Sequence, residues 1–161
     1  MRYRIAICDD EKNQRELLAG MLKRWLSLRG YTAEINCYES AESFLFDYEE
    51  DKATDILLLD IQMEGMDGVA LARRLRDGGE RGGENRRVQI VFITGYSDYM
   101  AEGYEVEALH YLMKPVKEEK LFEILDRASR NLSRVERSLL LSCDGEAVRI
   151  PVGEIQYAEI F

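Results

Sequence analysis

Apolar and polar positions follow two periods along this chain, and the period switches repeatedly between them. Tyr3 to Cys8 is a β-favouring run. Leu17, Leu18, Met21, Leu22, Trp25 and Leu26 then recur at helical spacing until Gly30 stops the pattern. Thr32 to Tyr38 reads as a second strand, and Ser40 as the N-cap of a helix carrying Phe44, Leu45 and Tyr48, with Ser43 at the third following position. The run between Asp55 and Asp60 holds four consecutive apolar residues and ends in an aspartate, the texture of a strand covered on both sheet faces. Asp67 caps a third helix with Val69, Leu71, Ala72 and Leu75 inward. Val88 to Thr94 is a fourth strand, Ser97 to Val106 a short helix weakened by Gly103, and Leu109 to Met113 a fifth strand. Lys117 to Leu132 closes the series as a helix with Leu121, Leu125 and Leu132 in one stripe.

Five successive β-α units predict an α/β fold, a flavodoxin-like (βα)5 doubly wound parallel sheet of strand order 2-1-3-4-5. Residues 77–87, with four glycines and alternating charge, read as a loop; a phosphate cradle would need a helix directly behind it, and a strand follows instead. After Ser133 the texture changes to short β-like segments, Leu139 to Cys143, Val148 to Pro151 and Ile155 to Ile160, with Asp144-Gly145 as a hairpin turn. Residues 1–132 are therefore expected to form one domain, and 133–161 a linker followed by the first strands of a second, incomplete one.

Length and charge narrow the function. With 161 residues the chain suffices for one well-filled core. A formal net charge of -9 repels phosphate backbones, so nucleic-acid binding by these residues alone is disfavoured and cation binding favoured. Apolar runs stop after a few residues, whereas a membrane span needs about 20. The N-terminus reaches Asp9-Asp10-Glu11 before any signal-peptide core develops, so the expected location is cytoplasmic. Cys8, Cys37 and Cys143 are odd in number and widely spaced, which predicts reduced, buried thiols.

The chemistry gathers at strand ends. Asp9 and Asp10 follow the first strand, Asp60 the third, Thr94 the fourth and Lys114 the fifth. Each alone has an ordinary explanation: a solvated Asp-Asp turn, a strand terminator, a β-favouring threonine, a surface Lys-Pro turn. Together they occupy the one sheet edge where this fold places ligands. Three converging carboxylates require a cation or raised pKa values, and an all-oxygen set suits Mg²⁺ rather than zinc. Lys114 and Thr94 beside that metal would complete an anion site for phosphoryl chemistry, with an aspartate as nucleophile. His110, the sole histidine, is expected to be a partly packed residue of the fifth strand.

The stretches Ile7-Cys8-Asp9-Asp10-Glu11, Leu57-Leu58-Leu59-Asp60-Ile61-Gln62-Met63 with Met66-Asp67-Gly68, Phe92-Ile93-Thr94-Gly95 and Tyr111-Leu112-Met113-Lys114-Pro115 together resemble the receiver domain of bacterial two-component response regulators, over about residues 1–130. The resemblance implies that Asp60 is the phosphoacceptor, phosphorylated by a sensor histidine kinase. It implies that Asp9, Asp10 and Asp60 hold Mg²⁺ with the Gln62 carbonyl oxygen, and that Lys114 and Thr94 contact the phosphoryl group. It also implies a cis Lys114-Pro115 bond and Tyr111 as the switch aromatic, turning from an exposed rotamer into space vacated by Thr94. Homodimerisation on phosphorylation would use the face of the fourth helix, fifth strand and fifth helix (α4-β5-α5). Such a protein is a phosphorylation-driven switch, not an enzyme acting on a separate substrate. Two departures stand out: Glu64 replaces the proline common in the family, and Gly95 leaves room for water beside an acyl phosphate, implying quick hydrolysis.

Residues 137–161, with Ile150-Pro151 and Ile155-Gln156-Tyr157-Ala158-Glu159, resemble the opening of a LytTR-type DNA-binding output domain. On that resemblance DNA is contacted only through output-domain residues missing from this chain, and the function is transcription control. Three other readings compete: a receiver-like interaction domain working without phosphorylation, an aspartate-based Mg²⁺-dependent phosphatase, and a flavodoxin-like cofactor carrier, against which the acidic turn after the first strand counts because a flavin phosphate needs backbone donors and hydroxyls there. The phosphatase needs Asp-x-Asp after the first strand, where this chain has Asp-Asp.

Overall fold

A computed structural model describes residues 1–51, 53–77, 88–96, 98, 105–136, 138–143 and 146–151. Five strands, β1 (Arg2–Cys8), β2 (Thr32–Tyr38), β3 (Ile56–Leu59), β4 (Gln89–Thr94) and β5 (His110–Met113), form one sheet of order β2-β1-β3-β4-β5, every neighbouring pair parallel. This is the flavodoxin-like order. The described helices are α1 (Lys12–Arg29), α2 (Ala41–Glu50), α3 (Gly68–Asp77) and α4 (Glu118–Glu136). The expected helix from Ser97 to Val106 and the glycine-rich stretch fall largely outside the described residues, so α4 here is the fifth helix of the sequence reading.

Strand alternation divides the core in two. On one face Ile5 and Ile7 of β1, Ile56 and Leu58 of β3, and Val91 and Ile93 of β4 pack with Leu18, Leu22 and Trp25 of α1 and Leu121, Leu125 and Ala128 of α4. On the other, Ala6, Cys8, Leu57, Leu59, Ile90 and Phe92 meet Phe44 and Tyr48 of α2 and Leu71 and Leu75 of α3. All four residues of β3 are therefore buried, which is why that segment is a continuous apolar run. Each such side chain contributes roughly 1.5–3 kcal/mol.

Local signals set the element ends. Gly30 adopts φ +67°, and its N–H reaches the Leu26 and Ser27 carbonyls to close α1. Ser40 caps α2 by accepting the Ser43 N–H at 3.1 Å, and the Ser43 hydroxyl reciprocates by accepting the Ser40 N–H. Asp67 Oδ1 accepts the Ala70 N–H at 2.8 Å at the start of α3. Leu132 does not end α4, which runs on to Glu136. Beyond it β6 (Ser138–Cys143) and β7 (Glu146–Pro151) pair antiparallel as the hairpin register required; Asp144-Gly145 and Ile155–Ile160 lie outside the described residues.

Three expectations need correction. Leu17 is 43% exposed, because α1 buries only the stripe of Leu18, Met21, Leu22, Trp25 and Leu26. Cys37 is a free but exposed thiol on β2, an edge strand bonded on one side only, whereas Cys8 is free and buried. His110 is exposed rather than packed, since β5 is the opposite edge; partial burial and the nearby charges of Arg127 and Lys120 lower its pKa. No helix among the described residues is long and apolar enough to cross a membrane.

Candidate functional site

Parallel strands deliver their last residues to one edge. Cys8 pairs with Leu59, Leu59 with Phe92, and Thr94 with Met113, so Asp9, Asp60, Thr94 and Lys114 emerge side by side. Backbone bonds lock the level: the Asp60 N–H donates to the Cys8 carbonyl at 2.9 Å, and the Lys114 N–H to the Thr94 carbonyl at 2.8 Å. The Lys114–Pro115 bond is cis.

Asp9, Asp60 and Thr94 are buried and Asp10 exposed. Lys114 Nζ lies 2.9 Å from Asp9 Oδ2 and 3.2 Å from Asp60 Oδ2, with Glu11 Oε1 at 4.0 Å. Asp9 is further fixed by the Glu11 N–H on its Oδ1 at 2.9 Å and by Arg15 Nη1 on its carbonyl at 2.7 Å. Burial, then the neighbouring Asp9 charge, raises the Asp60 pKa, and Lys114 works against that rise. Burial opposes the Lys114 ammonium, but its hydrogen bond to Asp9 and the charges of Asp60 and Asp9 outweigh it, so its pKa rises. Burial first, with Asp9 and Asp60 adding to it, pushes the Cys8 thiol up to about 12, so this thiol is inert packing.

Asp9, Asp10 and Asp60 each present a carboxylate oxygen, all within 4.8 Å of one another. One ammonium cannot balance three carboxylates, and hard oxygen donors at that separation fit a divalent cation of the Mg²⁺ class. A cleft of about 470 Å³ opens beside them, lined by Asp10, Glu11, Asp60, Gln62, Gly95, Tyr96 and Lys114. Gln62 thus reaches the cleft from the β3–α3 loop. Sequence reasoning missed Tyr96 and Glu11; their signal was position alone, two residues beyond Thr94 and Asp9.

Tyr111 departs from expectation. Its ring is half buried, 6.3 Å from that of Phe92, rather than exposed, and its hydroxyl donates to the Tyr96 carbonyl oxygen. The Tyr96 N–H in turn donates to Thr94 Oγ1 at 3.4 Å.

A sequence model of the response regulator receiver domain matches residues 5–126. The chain is 33% identical over 165 residues to the sensory transduction protein LytT of Bacillus subtilis (strain 168), covering 96% of this chain and 64% of that protein. It is 35% identical over 126 residues to the positive alginate biosynthesis regulatory protein of Pseudomonas aeruginosa, covering 78% and 47% respectively. It therefore spans less than two thirds of the length of these relatives. Among solved structures, response regulator TrrA from Thermotoga maritima in complex with Mg²⁺-BeF superposes with a TM-score of 0.63 at 27% identity, over 78% of this chain and 98% of that one. Since the receiver match extends from within β1 into α4 and takes in every strand-end carboxylate, the chain belongs to the response regulator receiver domain family.

Proposed function

We propose that this chain is the phosphorylation-driven switch of a two-component response regulator, accepting a phosphoryl group on Asp60 from the phosphohistidine of a sensor kinase. The observation that carries the reading is the pairing of buried Asp60 with Lys114 at 3.2 Å inside a three-carboxylate cluster open to a cleft. Asp9, Asp10, Asp60 and the Gln62 carbonyl oxygen would hold Mg²⁺. The ion would supply charge neutralisation for an incoming phosphate.

The rest falls to the chain. An Asp60 carboxylate oxygen forms the new P–O bond as the P–N bond to the donor ring breaks; the departing nitrogen keeps the bonding pair, and because the ring's other nitrogen already carries a proton the ring leaves as neutral imidazole. Lys114, already on Asp60, balances the added negative charge. The Thr94 hydroxyl donates to a phosphoryl oxygen while still accepting the Tyr96 N–H. Through Tyr96 this reaches Tyr111 on β5, where an altered surface would favour homodimerisation on the face of the expected fourth helix (residues 97–106), β5 and α4.

Residues 1–132 would form this receiver, and 133–161 the linker and first strands of a LytTR-type output domain that controls transcription through DNA. The antiparallel β6–β7 hairpin and the alignment to LytT over 96% of the chain support that extension. The reading places the protein in the cytoplasm.

The test is intact-mass measurement with a small acyl phosphate. Wild type should gain one phosphoryl group in Mg²⁺ and none in chelator, and Asp60→Asn none in either. Undiminished labelling of the mutant would refute the assignment.

A further inference from the structure

We infer that Glu42, in the first turn of α2, is a positioning residue for the β3–α3 loop: it grips the Met66 amide and so fixes the segment that presents Gln62 to the cation site. The inference rests on the reading that Asp60 and Gln62 hold Mg²⁺.

The loop from Asp60 to Gly68 is poorly determined by its own sequence. Glu64 stands where a proline would have fixed φ, and Gly65 follows with φ +83°, so the middle of the loop has ample freedom to lose. Its ends are tied by the Asp60 N–H on the Cys8 carbonyl and by the Gly68 N–H on the Ile61 carbonyl at 2.8 Å. Its first half is held by Met63, buried with Sδ 3.7 Å from Cys8 Sγ. In the second half the Met66 side chain packs partly buried against the core, and its backbone is held by Glu42 Oε1, which accepts the Met66 N–H at 2.9 Å.

The fit is reciprocal. A Cβ at residue 65 would stand 2.7 Å from Glu42 Oε1, so the carboxylate occupies the space a side chain there would need. Charge-assisted bonds from amide to carboxylate are stronger than neutral ones, and the Met66 N–H holds the Glu42 carboxyl below its ordinary range. Mg²⁺ demands near-ideal octahedral geometry, so a small drift of the Gln62 carbonyl weakens binding where a softer site would tolerate it.

Glu42 is exposed, so its variants should fold. The experiment compares wild type, Glu42→Ala and Glu42→Gln by calorimetric titration with Mg²⁺, amide hydrogen exchange at Met66 and thermal melting. Glu42→Ala should raise the Mg²⁺ Kd about fivefold, below the range for direct partners of metal ligands. It should speed Met66 exchange about tenfold while leaving the melting midpoint nearly unchanged. Glu42→Gln, which retains an acceptor oxygen, should recover most of both. Wild-type Mg²⁺ affinity in Glu42→Ala would overturn the inference. So would weakened affinity with Met66 exchange unchanged, or a Glu42→Gln as weak as Glu42→Ala, since either assigns the effect to bare charge. A wild type that binds no Mg²⁺ would instead fail the parent reading and this one with it.

Discussion

The Lys114 ammonium lies 3.2 Å from Asp60 Oδ2, yet burial and the Asp9 charge still raise the Asp60 pKa. The native state therefore holds the Asp60 proton more tightly than the unfolded chain does. Its contribution to stability is fully present below the ordinary value of 3.8 and is lost as pH rises through the raised value. Lys114, also raised, contributes stability that is present below 10.5 and lost above it. At neutral pH without divalent ion, ionised Asp60 is thus a strained feature. Asp60→Asn should melt roughly 3 °C above wild type at pH 7, corresponding to about 1 kcal/mol, and the gap should close towards pH 3.5. A mutant no more stable than wild type at pH 7 would contradict this.

Asp10 differs from its neighbours in being exposed, so removing its charge disturbs little packing. Asp10→Asn should keep its melting midpoint within about 2 °C of wild type while weakening Mg²⁺ binding at least tenfold, since charge count sets affinity in oxygen sites. Calorimetric titration beside a melting curve checks both halves, and an unchanged Mg²⁺ Kd would remove Asp10 from the ligand set.

Strand order and site composition were legible because both follow from chain-local rules. Four apolar residues ending in Asp60 report a doubly covered strand, and parallel strands necessarily bring their carboxyl ends together. Exposure of single side chains was not legible: the order 2-1-3-4-5 already made β2 and β5 edge strands, but Cys37 and His110 sit in runs of β texture, and nothing local says which side chains of those strands a helix covers. The Glu42–Met66 contact was invisible for a related reason. It joins residues 24 apart through loop geometry, and in sequence Glu42 is an ordinary acidic residue in a helix's first turn.

Gly68 and Gly95 look alike in sequence and should behave oppositely. A Cβ on Gly68 would lie 2.1 Å from the Asp60 carbonyl oxygen and 2.9 Å from Ile61 Cα, backbone atoms that cannot yield. Gly68→Ala should cost about 3 kcal/mol or more. At Gly95 an added Cβ meets nothing within 4 Å, and the residue rims the cleft. Gly95→Val should leave the fold intact but restrict water beside the acyl phosphate, lengthening its half-life several-fold. Denaturant melts and a phosphate-release assay separate the two, and a Gly95→Val that hydrolyses as fast as wild type would end the steric account.

Thr94 connects site and surface through the Tyr96 backbone, whose N–H rests on Thr94 Oγ1 while its carbonyl takes the Tyr111 hydroxyl. A phosphoryl group on Asp60 would anchor the Thr94 hydroxyl as donor without displacing Tyr96 from its acceptor lone pair, making one chain from phosphate to ring. Shifting a surface equilibrium from mostly off to mostly on needs roughly 3 to 5 kcal/mol, within reach of one or two charge-assisted bonds plus a better-buried ring. Thr94→Ala removes the first link and leaves Lys114 and the carboxylates of Asp9, Asp10 and Asp60 in place. It should still be phosphorylated, within about tenfold of the wild-type rate, yet lose the phosphate-dependent dimer. Tyr111→Phe, which keeps the ring but not the bond to Tyr96, should fall between the two. Sedimentation of all three with beryllofluoride and Mg²⁺ decides the matter: equal dimerisation of wild type and Thr94→Ala would show that the signal bypasses Thr94.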